Sequence, residues 1–295
     1  MPSDESAAAL PLVIERIDDL RERVDRWRRG GQRIALVPTM GNLHDGHLSL
    51  VRQARTRADR VIVSIFVNPL QFGEGEDFES YPRTLDEDRA KLATVGAHAV
   101  FHPSVHEMYP DGTPMVTEVR LHALEAVLCG EHREGHFAGV ATVVTKLFGL
   151  VQPDVAVFGR KDYQQLTLIR RMVRDLSLPI RVIASDTVRE DDGLAMSSRN
   201  RYLTAEERAI APALNATLRD LAGRLGDVAN DVSGACAAAE ARLAEAGFRP
   251  DYVRILDAST LTPPTETTRR VVIAGAGHLG RARLIDNVTA DWPRG

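Results

Sequence analysis

Two histidines, His44 and His47, lie three positions apart and are the first candidates for chemistry in this 295-residue sequence. They follow the short apolar run 33–38, and the amphipathic segment 45–57 begins between them. This pattern predicts a buried parallel strand, a turn and a helix whose first turn presents both imidazoles on one face. Imidazole donates to oxyanions or carries positive charge near neutral pH, and the N–H groups at a helix start attract phosphate. The pattern therefore predicts a phosphate-binding site.

Glycines flank the histidine pair at Gly41 and Gly46. A glycine leaves room where a ligand must approach the backbone closely, so these positions favour a binding site. The pair also fits two unrelated residues of a helix surface, but the strand, glycine and helix context disfavours that interpretation. A zinc site is disfavoured as well, because no third ligand follows nearby.

A second polar cluster, Met196-Ser197-Ser198-Arg199, has the composition of a phosphate-binding loop. Two hydroxyls and a guanidinium can donate several hydrogen bonds to phosphate oxygens, and arginine can do so in bidentate fashion. By itself the cluster fits a polar turn between domains better than a binding loop. Together with the histidine pair, this cluster favours a pocket for a nucleoside triphosphate.

The segments around these motifs alternate between short apolar runs and stretches that can form helices. The predicted strands are 33–38, 61–67, 97–102, 155–158 and 181–184, and helices are predicted over 12–27, 45–57 and 139–151. This alternation predicts an α/β fold with a doubly wound, Rossmann-like parallel sheet. The chain then changes to two alanine-rich helices, 204–224 and 233–246, and three strands, 252–256, 270–274 and 282–287. We therefore expect a larger domain over 1–187 and a smaller C-terminal α+β domain over 188–295.

The composition excludes several classes of protein. The 37 Lys and Arg against 41 Asp and Glu give 37 − 41 = −4, which argues against a nucleic-acid-binding protein. Cys129 and Cys236 are far apart and form no CxxC pair, so neither a disulfide framework nor a structural zinc site is expected. No apolar run reaches 18 residues and the start is not a basic leader, so we expect a cytoplasmic chain that does not span a membrane.

A series of motifs gives the sequence a family resemblance. The histidine pair and the Ser-Ser-Arg cluster resemble the HxGH and KMSKS-like signatures of the nucleotidyltransferase superfamily. More narrowly, the chain resembles the pantothenate synthetases, or pantoate β-alanine ligases, from about Ile34 to its end. The motifs occur in the family's order as Pro38-Thr39-Met40-Gly41, Phe66-Val67-Asn68-Pro69-Leu70-Gln71-Phe72, Tyr81-Pro82-Arg83, Phe158-Gly159-Arg160-Lys161-Asp162-Tyr163-Gln164-Gln165 and Met196-Ser197-Ser198-Arg199-Asn200.

The resemblance implies a reaction in two steps. Pantoate would attack the α-phosphorus of ATP to give pantoyl adenylate and pyrophosphate, and β-alanine would then displace AMP to form pantothenate. Mg²⁺ would accompany ATP, and the family further implies a homodimer. Adenylation is needed because a carboxylate is a poor acyl donor to an amine, whereas its mixed anhydride with AMP has a good leaving group.

The resemblance also implies a role for each matching residue. Phosphate contacts in catalysis would come from His44, His47, Lys161, Ser197, Ser198 and Arg199. ATP would be bound by Met40, Gly41, Gly46, Gly159, Asp162, Val188 and Met196. Pantoate and β-alanine would contact Gln71, Gln165, Asn68, Tyr81, Arg133 and His136.

Simpler roles stay open for some of these residues. Lys161 and Asp162 could form a surface ion pair, which typically contributes ~0 to 1 kcal/mol. Gln165 could lie on a helix surface, Tyr81 could pack as an aromatic, and Asn68 could form a turn.

Three further stretches bear on the resemblance. The family can place an acidic pair and a glutamine near a metal, but here Asp86-Glu87-Asp88 is followed by Lys91, so no metal ligand is assigned to the protein. The acidic, glycine-containing stretch 73–80 is expected to act as a lid over the adenylate. The remaining histidines, His98, His102, His106, His122 and His132, are expected to be surface or structural residues.

Two other functions fit the same core. A cofactor adenylyltransferase would use the pocket to form a stable nucleotide conjugate, and its products would distinguish it from a ligase. A non-enzymatic ATP sensor would bind the nucleotide without turnover, so removal of a histidine would not change any rate.

Overall fold

The structure is a computed structural model that describes residues 9–73, 75–76, 78–113 and 117–293. The chain forms two compact units. The first comprises the described residues up to Leu121 together with Gly135–Gly159 and Leu168–Ser185. The second comprises His122–Glu134, Arg160–Thr167 and the chain from Asp186 onward. The functional domain bounds 1–187 and 188–295 stay a prediction.

The first unit is built on a parallel sheet. Among the described residues its strands are β1 Leu12–Ile14, β2 Ile34–Thr39, β3 Arg60–Ile65, β4 Ala99–Phe101, β5 Val155–Gly159 and β6 Arg181–Ser185. Their order across the sheet is β1-β4-β3-β2-β5-β6, with parallel pairing throughout. This order confirms the predicted doubly wound α/β fold.

Helices and turns connect these strands and continue into the second unit. The helices are α1 Ile17–Arg29, α2 Asp45–Arg55, α3 Leu85–Thr94, α4 Val105–Met108, α5 His122–Glu125, α6 Cys129–His132, α7 His136–Val151, α8 Tyr163–Asp175, α9 Ala205–Ile210, α10 Ala213–Gly223, α11 Leu225–Val228 and α12 Val232–Glu245. Short 3-10 turns cover Pro69–Gln71 and Ser198–Tyr202.

Strand β2 is the point where the winding of the sheet reverses. It pairs with β3 on one side and with β5 on the other, and the chain steps outward from it in both directions. The side chains of Ile34, Leu36 and Ile62 are fully buried, as expected for central strands covered on both faces. Ligands of open α/β sheets bind at the carboxyl ends of strands beside such a reversal. The end of β2 is therefore the expected ligand-binding edge.

The second unit contains a three-stranded antiparallel sheet with helices packed on it. Its strands are β7 Arg249–Asp257, β8 Arg270–Leu279 and β9 Ala282–Asp291, in the order β7-β8-β9. Leu214 and Leu218 of α10 and Leu243 of α12 join Val253 and Ile273 of the sheet in one apolar core. These elements confirm the predicted smaller α+β part of the chain.

Two predicted elements are wrong in detail. The helix predicted over 12–27 begins only at Ile17, because Leu12–Ile14 forms the edge strand β1 and Leu12 pairs with Ala99 of β4. Pairing with a neighbouring strand overrides the helical spacing of these apolar, partly β-branched residues. The helix predicted over 204–224 is broken into α9 and α10 at Pro212, which lacks the N–H that a continuous helix needs.

The C-terminal strands are longer than the sequence pattern predicts. Strands β8 and β9 pair from Arg270–Asp291 to Leu279–Ala282 around a tight connection, where Gly280 adopts a φ of +55°. Pairing in a hairpin continues through polar residues, so the alternation of apolar residues underestimates its length.

Cys129 and Cys236 are both free and buried. Within the described ranges, we find no helix whose length and apolar character would allow it to cross a bilayer.

Candidate active site

The histidine pair lies at the start of α2, directly after the end of β2. His44 is the N-cap residue of the helix, and its Nδ1 accepts a hydrogen bond from the Gly46 N–H at 3.1 Å. The Nδ1 of His47 faces the N–H of His44 at 3.4 Å, and the two ring centroids are 4.1 Å apart. An Nδ1 that accepts a hydrogen bond carries no proton, so each neutral ring carries its proton on Nε2. The helix start thus holds two adjacent imidazoles, each with its Nδ1 facing a backbone N–H group.

The turn before the histidines depends on glycine. Gly41 has a φ of +82°, and a Cβ at this position would lie 3.0 Å from Cγ2 of Ile65. The Thr39 hydroxyl donates to the Ser64 carbonyl at 2.7 Å and accepts from the Gly41 N–H at 3.2 Å. These contacts fix the path of the chain from β2 to α2. Met40 lies in this turn, and its Sδ accepts a hydrogen bond from the amide of Gln71 at 3.1 Å.

Gln71 lies in a polar cluster of the first unit that also contains Asn68 and His136. The Asn68 side chain is buried, and its Nδ2 donates to Oε1 of Gln71 at 3.3 Å and to the Gly139 carbonyl at 3.2 Å. Its Oδ1 accepts from the Tyr109 hydroxyl at 2.7 Å. The Nδ1 of His136 lies 2.7 Å from the Gln71 carbonyl oxygen. Asn68 therefore organises the turn that holds Gln71, which was the simpler role left open for it.

The stretch 73–80, predicted to be a lid, begins two residues after Gln71. Glu74 and Asp77 lie outside the described residues, and the lid stays a prediction. On its far side Tyr81 is buried, with its ring 5.9 Å from that of Phe72. The Phe72 ring also lies 5.4 Å from Phe78.

Helix α7 packs against the Gln71 turn through Gly139. A Cβ at Gly139 would overlap the Leu70 carbonyl and lie 2.8 Å from the backbone N of Gln71. We expect Gly139→Ala to lower the free energy of unfolding by about 3 kcal/mol or more, because neither neighbour is a flexible side chain. Gly149→Ala in the same helix is the matched control, since Gly149 has no neighbour within 4 Å of the added methyl.

Urea denaturation followed by circular dichroism measures both effects. The control should be neutral or up to ~1 kcal/mol more stable, as expected for alanine in place of glycine in a helix. Equal stabilities of the two variants would contradict the close packing described for Gly139.

Lys161 and the Ser197-Ser198-Arg199 cluster lie in the second unit. A small pocket of this unit is lined in part by Lys161, Ser197 and Asn200. The Asn287 side chain donates to the carbonyls of Arg160 at 3.0 Å and Lys161 at 2.8 Å, and so holds the backbone at Lys161. The structure therefore brings Lys161 and Ser197 to one pocket.

The polar cluster itself forms a tight turn after a small hairpin. Met196 donates its N–H to the Val188 carbonyl at 3.0 Å, which closes the hairpin. Ser197 caps the 3-10 turn Ser198–Tyr202, and its hydroxyl accepts from the Arg199 N–H at 3.3 Å. Asn200 donates to the Ala195 carbonyl at 3.1 Å. The local geometry is a polar turn, in agreement with one of the two interpretations of this cluster.

Gln164, next to the predicted substrate residue Gln165, has a structural role that sequence reasoning missed. Its buried amide accepts from the Cys129 N–H at 3.0 Å and donates to the carbonyls of Leu124 and Val127, both at 2.7 Å. These bonds order the segment that leads to Arg133. The signal was present, because Gln164 lies four positions before Leu168 on the apolar side of α8 and a buried amide must find partners.

The acidic stretch at the start of α3 contributes a buried carboxylate that binds backbone groups. Asp88 is fully buried, and its oxygens accept the N–H groups of Asn42 at 2.8 Å and Leu43 at 2.7 Å. The Lys91 ammonium donates to the Leu43 carbonyl at 2.8 Å. In the part of the chain that the structure describes, no three His, Cys, Asp or Glu side chains converge as metal ligands. The carboxylate of Asp88 is therefore already bound by backbone N–H groups of the turn before the histidine pair.

Two of the remaining histidines hold strands of the first unit. The Nδ1 of His98 accepts the Val61 N–H at 3.0 Å, and burial together with Arg55 and Arg60 lowers the pKa of His98 to about 4. The Nδ1 of His102 lies 2.8 Å from the Ile65 carbonyl oxygen. Both are structural residues, as predicted.

A family model and several known proteins match this sequence over nearly the whole chain. The family model described as pantoate-beta-alanine ligase matches residues 12–289. A pantothenate synthetase of Alkalilimnicola ehrlichii is 56% identical over 281 residues, which cover 95% of this chain and 98% of that relative. One of Shewanella amazonensis is 53% identical and covers 92% of this chain and 96% of its own length.

Solved structures of the family share the fold. The crystal structure of pantothenate synthetase from Thermus thermophilus has a TM-score of 0.84 at 46% identity and covers 94% of this chain and 98% of its own. That of pantoate-beta-alanine ligase from Francisella tularensis, complexed with beta-gamma ATP and beta-alanine, has a TM-score of 0.79 at 33% identity, covering 94% and 97%. The chain therefore belongs to the pantoate-beta-alanine ligase family and is a ligase that forms pantothenate from pantoate and β-alanine in an ATP-dependent reaction.

Proposed function

We propose that this ligation proceeds through a pantoyl adenylate. The pantoate carboxylate attacks the α-phosphorus of ATP, and pyrophosphate leaves with the electron pair of the broken P–O bond. The amine of β-alanine then attacks the acyl carbon, AMP leaves, and the amine loses a proton as the amide forms. The enzyme contributes in-line positioning and stabilisation of charge on the transferring phosphate.

The observation that supports this proposal most directly is the orientation of the two histidine rings. Because the Nδ1 atoms of His44 and His47 face backbone N–H groups, we assign donation to a ligand to Nε2 of each ring. The rings follow β2, where the winding of the sheet reverses and ligands of this fold class bind. We assign to them the stabilisation of negative charge on the α-phosphate while pyrophosphate leaves.

We assign the remaining nucleotide contacts by the family motifs. Lys161, with its backbone held by Asn287, contributes a cation to the phosphates, and Asp162 accepts from the ribose hydroxyls. Ser197, Ser198 and Arg199 bind the β and γ phosphates. The other ATP-binding positions are Met40, Gly41, Gly46, Gly159, Val188 and Met196.

Pantoate and β-alanine require side chains that both donate and accept hydrogen bonds. Gln71 and Gln165 have amides that both donate and accept, which suits the hydroxyls and the carboxylate of pantoate. Asn68 supports this site by ordering the turn of Gln71. Tyr81, Arg133 and His136 complete the substrate contacts in this proposal.

We further propose that Mg²⁺ reaches the enzyme with ATP and is held by the triphosphate, as magnesium commonly is. Asp88 of α3 already accepts the N–H groups of Asn42 and Leu43, so we assign it no contact with the ion. A homodimer in the cytoplasm is the expected form of the protein, without a nucleic-acid partner.

Oxygen labelling tests the adenylate. The purified chain is incubated with ATP, Mg²⁺, β-alanine and pantoate whose carboxylate contains ¹⁸O, and the products are analysed by mass spectrometry. An acyl adenylate transfers one labelled oxygen from pantoate to AMP, because the acyl C–O bond breaks in the second step. Labelled inorganic phosphate together with ADP would instead indicate an acyl phosphate, and would overturn the proposal.

A further inference from the structure

A buried carboxylate on α3 holds the turn that precedes the histidine pair. Oδ2 of Asp88 accepts the Asn42 N–H at 2.8 Å, and Oδ1 accepts the Leu43 N–H at 2.7 Å. The Thr84 hydroxyl donates to Oδ2 at 3.2 Å. Asp88 thus binds consecutive N–H groups of the two residues that lead directly to His44.

The turn needs such support because Asn42, a non-glycine residue, has a left-handed backbone conformation. Gly41 adopts its φ of +82° at no steric cost, but Asn42, with a φ of +51°, lies in the left-handed region that costs a non-glycine residue energy. Such a residue persists where the surrounding structure over-determines it. A Cβ at Gly41 would lie 3.1 Å from Oδ2 of Asp88, so the carboxylate is packed directly against the strained segment.

Helix α3 contacts the turn at a third point, through Lys91. Its ammonium donates to the Leu43 carbonyl at 2.8 Å, so both polar backbone groups of Leu43 are bound by α3. The next residue is His44, whose own N–H faces Nδ1 of His47 and whose ring caps α2. The path of this turn determines the direction of the His44 N–H. Because this N–H faces Nδ1 of His47, the path of the turn also determines which nitrogen of His47 carries the proton.

We infer that Asp88 is a positioning residue of the ligation, which acts by fixing the turn that orients His44 and His47. Asp88 has no contact with substrate in this role. The inference rests on the proposed function of the two imidazoles. A residue that contributes only to folding would affect stability. A positioning role for Asp88 predicts in addition that its substitution changes the protonation of the ring nitrogens of His44 and His47.

Asp88→Asn tests the inference. An amide has one accepting oxygen, so its NH₂ group would face one of the two N–H donors and displace the turn. We expect kcat to fall about 10- to 100-fold, since a misplacement of about 1 Å can cost on the order of 10² in rate. The KM values for ATP and pantoate should change far less.

Nitrogen-15 NMR of the imidazoles is the second readout. In the unmodified protein, His44 and His47 should show Nδ1 without a proton and Nε2 protonated. In Asp88→Asn the Nδ1 signals should move toward the values of a tautomer mixture. Asp154→Asn is the matched control, because Oδ2 of Asp154 also accepts a backbone N–H, that of Ile34 at the other end of β2. The control should leave kcat and the ring signals unchanged.

The outcomes separate the inference from its premise. Unchanged kcat and ring signals in Asp88→Asn, or a loss of kcat with unchanged ring signals, would overturn the positioning role. Changed ring signals in Asp88→Asn, combined with full activity of His44→Ala, would instead reject the function proposed for the histidines. If Asp88→Asn does not fold, Lys91→Met, which removes the contact with Leu43, should show both effects at smaller size, and an unchanged variant would overturn the inference.

Discussion

His44→Ala should lower kcat by on the order of 10² or more, the scale typical of removing one preorganised oxyanion donor. The expected effect is large because the position of the donor is fixed before the reaction. Nδ1 of His44 accepts the Gly46 N–H, and the centroid of its ring lies 4.1 Å from that of His47. The loss should appear in kcat, since the charge on the α-phosphate grows only in the transition state. Binding of ATP, measured by calorimetry, should change far less.

The formation of AMP and pantothenate measures this effect. His106→Ala is the matched control, because His106 is an exposed histidine of α4 that no motif assigns to the site. Loss of the N-cap contact costs His44→Ala some stability, typically ~1 kcal/mol, so thermal unfolding must confirm that the assayed variant is folded. Turnover within a few-fold of the unmodified enzyme would contradict the role assigned to the histidine pair.

Asp286→Asn should destabilise the second unit by about 3 to 5 kcal/mol, the usual result of removing one partner of a buried ion pair. Asp286 binds the Arg189 guanidinium through two hydrogen bonds of 2.6 and 2.9 Å. It also accepts from Asn215 at 2.9 Å, and its side chain is 3% exposed. The variant leaves the largely buried guanidinium without a counter-charge.

The two tryptophans of the chain make this measurement specific. Trp27 lies in the first unit and Trp292 packs on the core of the second, so fluorescence of Trp292 in a Trp27→Phe background reports on the second unit. Asp220→Asn is the control, because its pairs with Arg224 and Arg242 are exposed and such pairs contribute at most about 1 kcal/mol. Similar urea midpoints for the two variants would show that the Asp286 pair does not hold the unit together.

The sequence was most informative where one local pattern determines structure. The apolar run of β2, the glycines and the spacing of His44 and His47 predict a strand, a turn and a helix that presents both rings. Pro212, by contrast, interrupts the helix predicted over 204–224, and this break follows from the sequence because proline lacks the backbone N–H of a continuous helix. The edge strand β1 could not be predicted in this way, because Leu12–Ile14 is a strand only through its pairing with β4.

The residues that position the site were harder to predict than those in it. Asp88 lies 45 positions after Leu43, and Asn287 lies 126 positions after Lys161. Nothing local to either residue reveals its partner, since the pairing exists only once the strands and helices are assembled. Gln164 is the exception, because its place on the apolar side of α8 indicates a buried amide.

The second unit is discontinuous along the chain, and this has a consequence for synthesis. His122–Glu134 and Arg160–Thr167 are synthesised before Asp186 and the residues after it, yet belong to the same compact unit. Asn287, whose amide binds the carbonyls of Arg160 and Lys161, is synthesised 126 residues after Lys161. The backbone at Lys161, which we propose to bind phosphate, therefore acquires this hydrogen-bond partner only after β9 has been synthesised, and a nascent chain stalled before β9 would lack the contact.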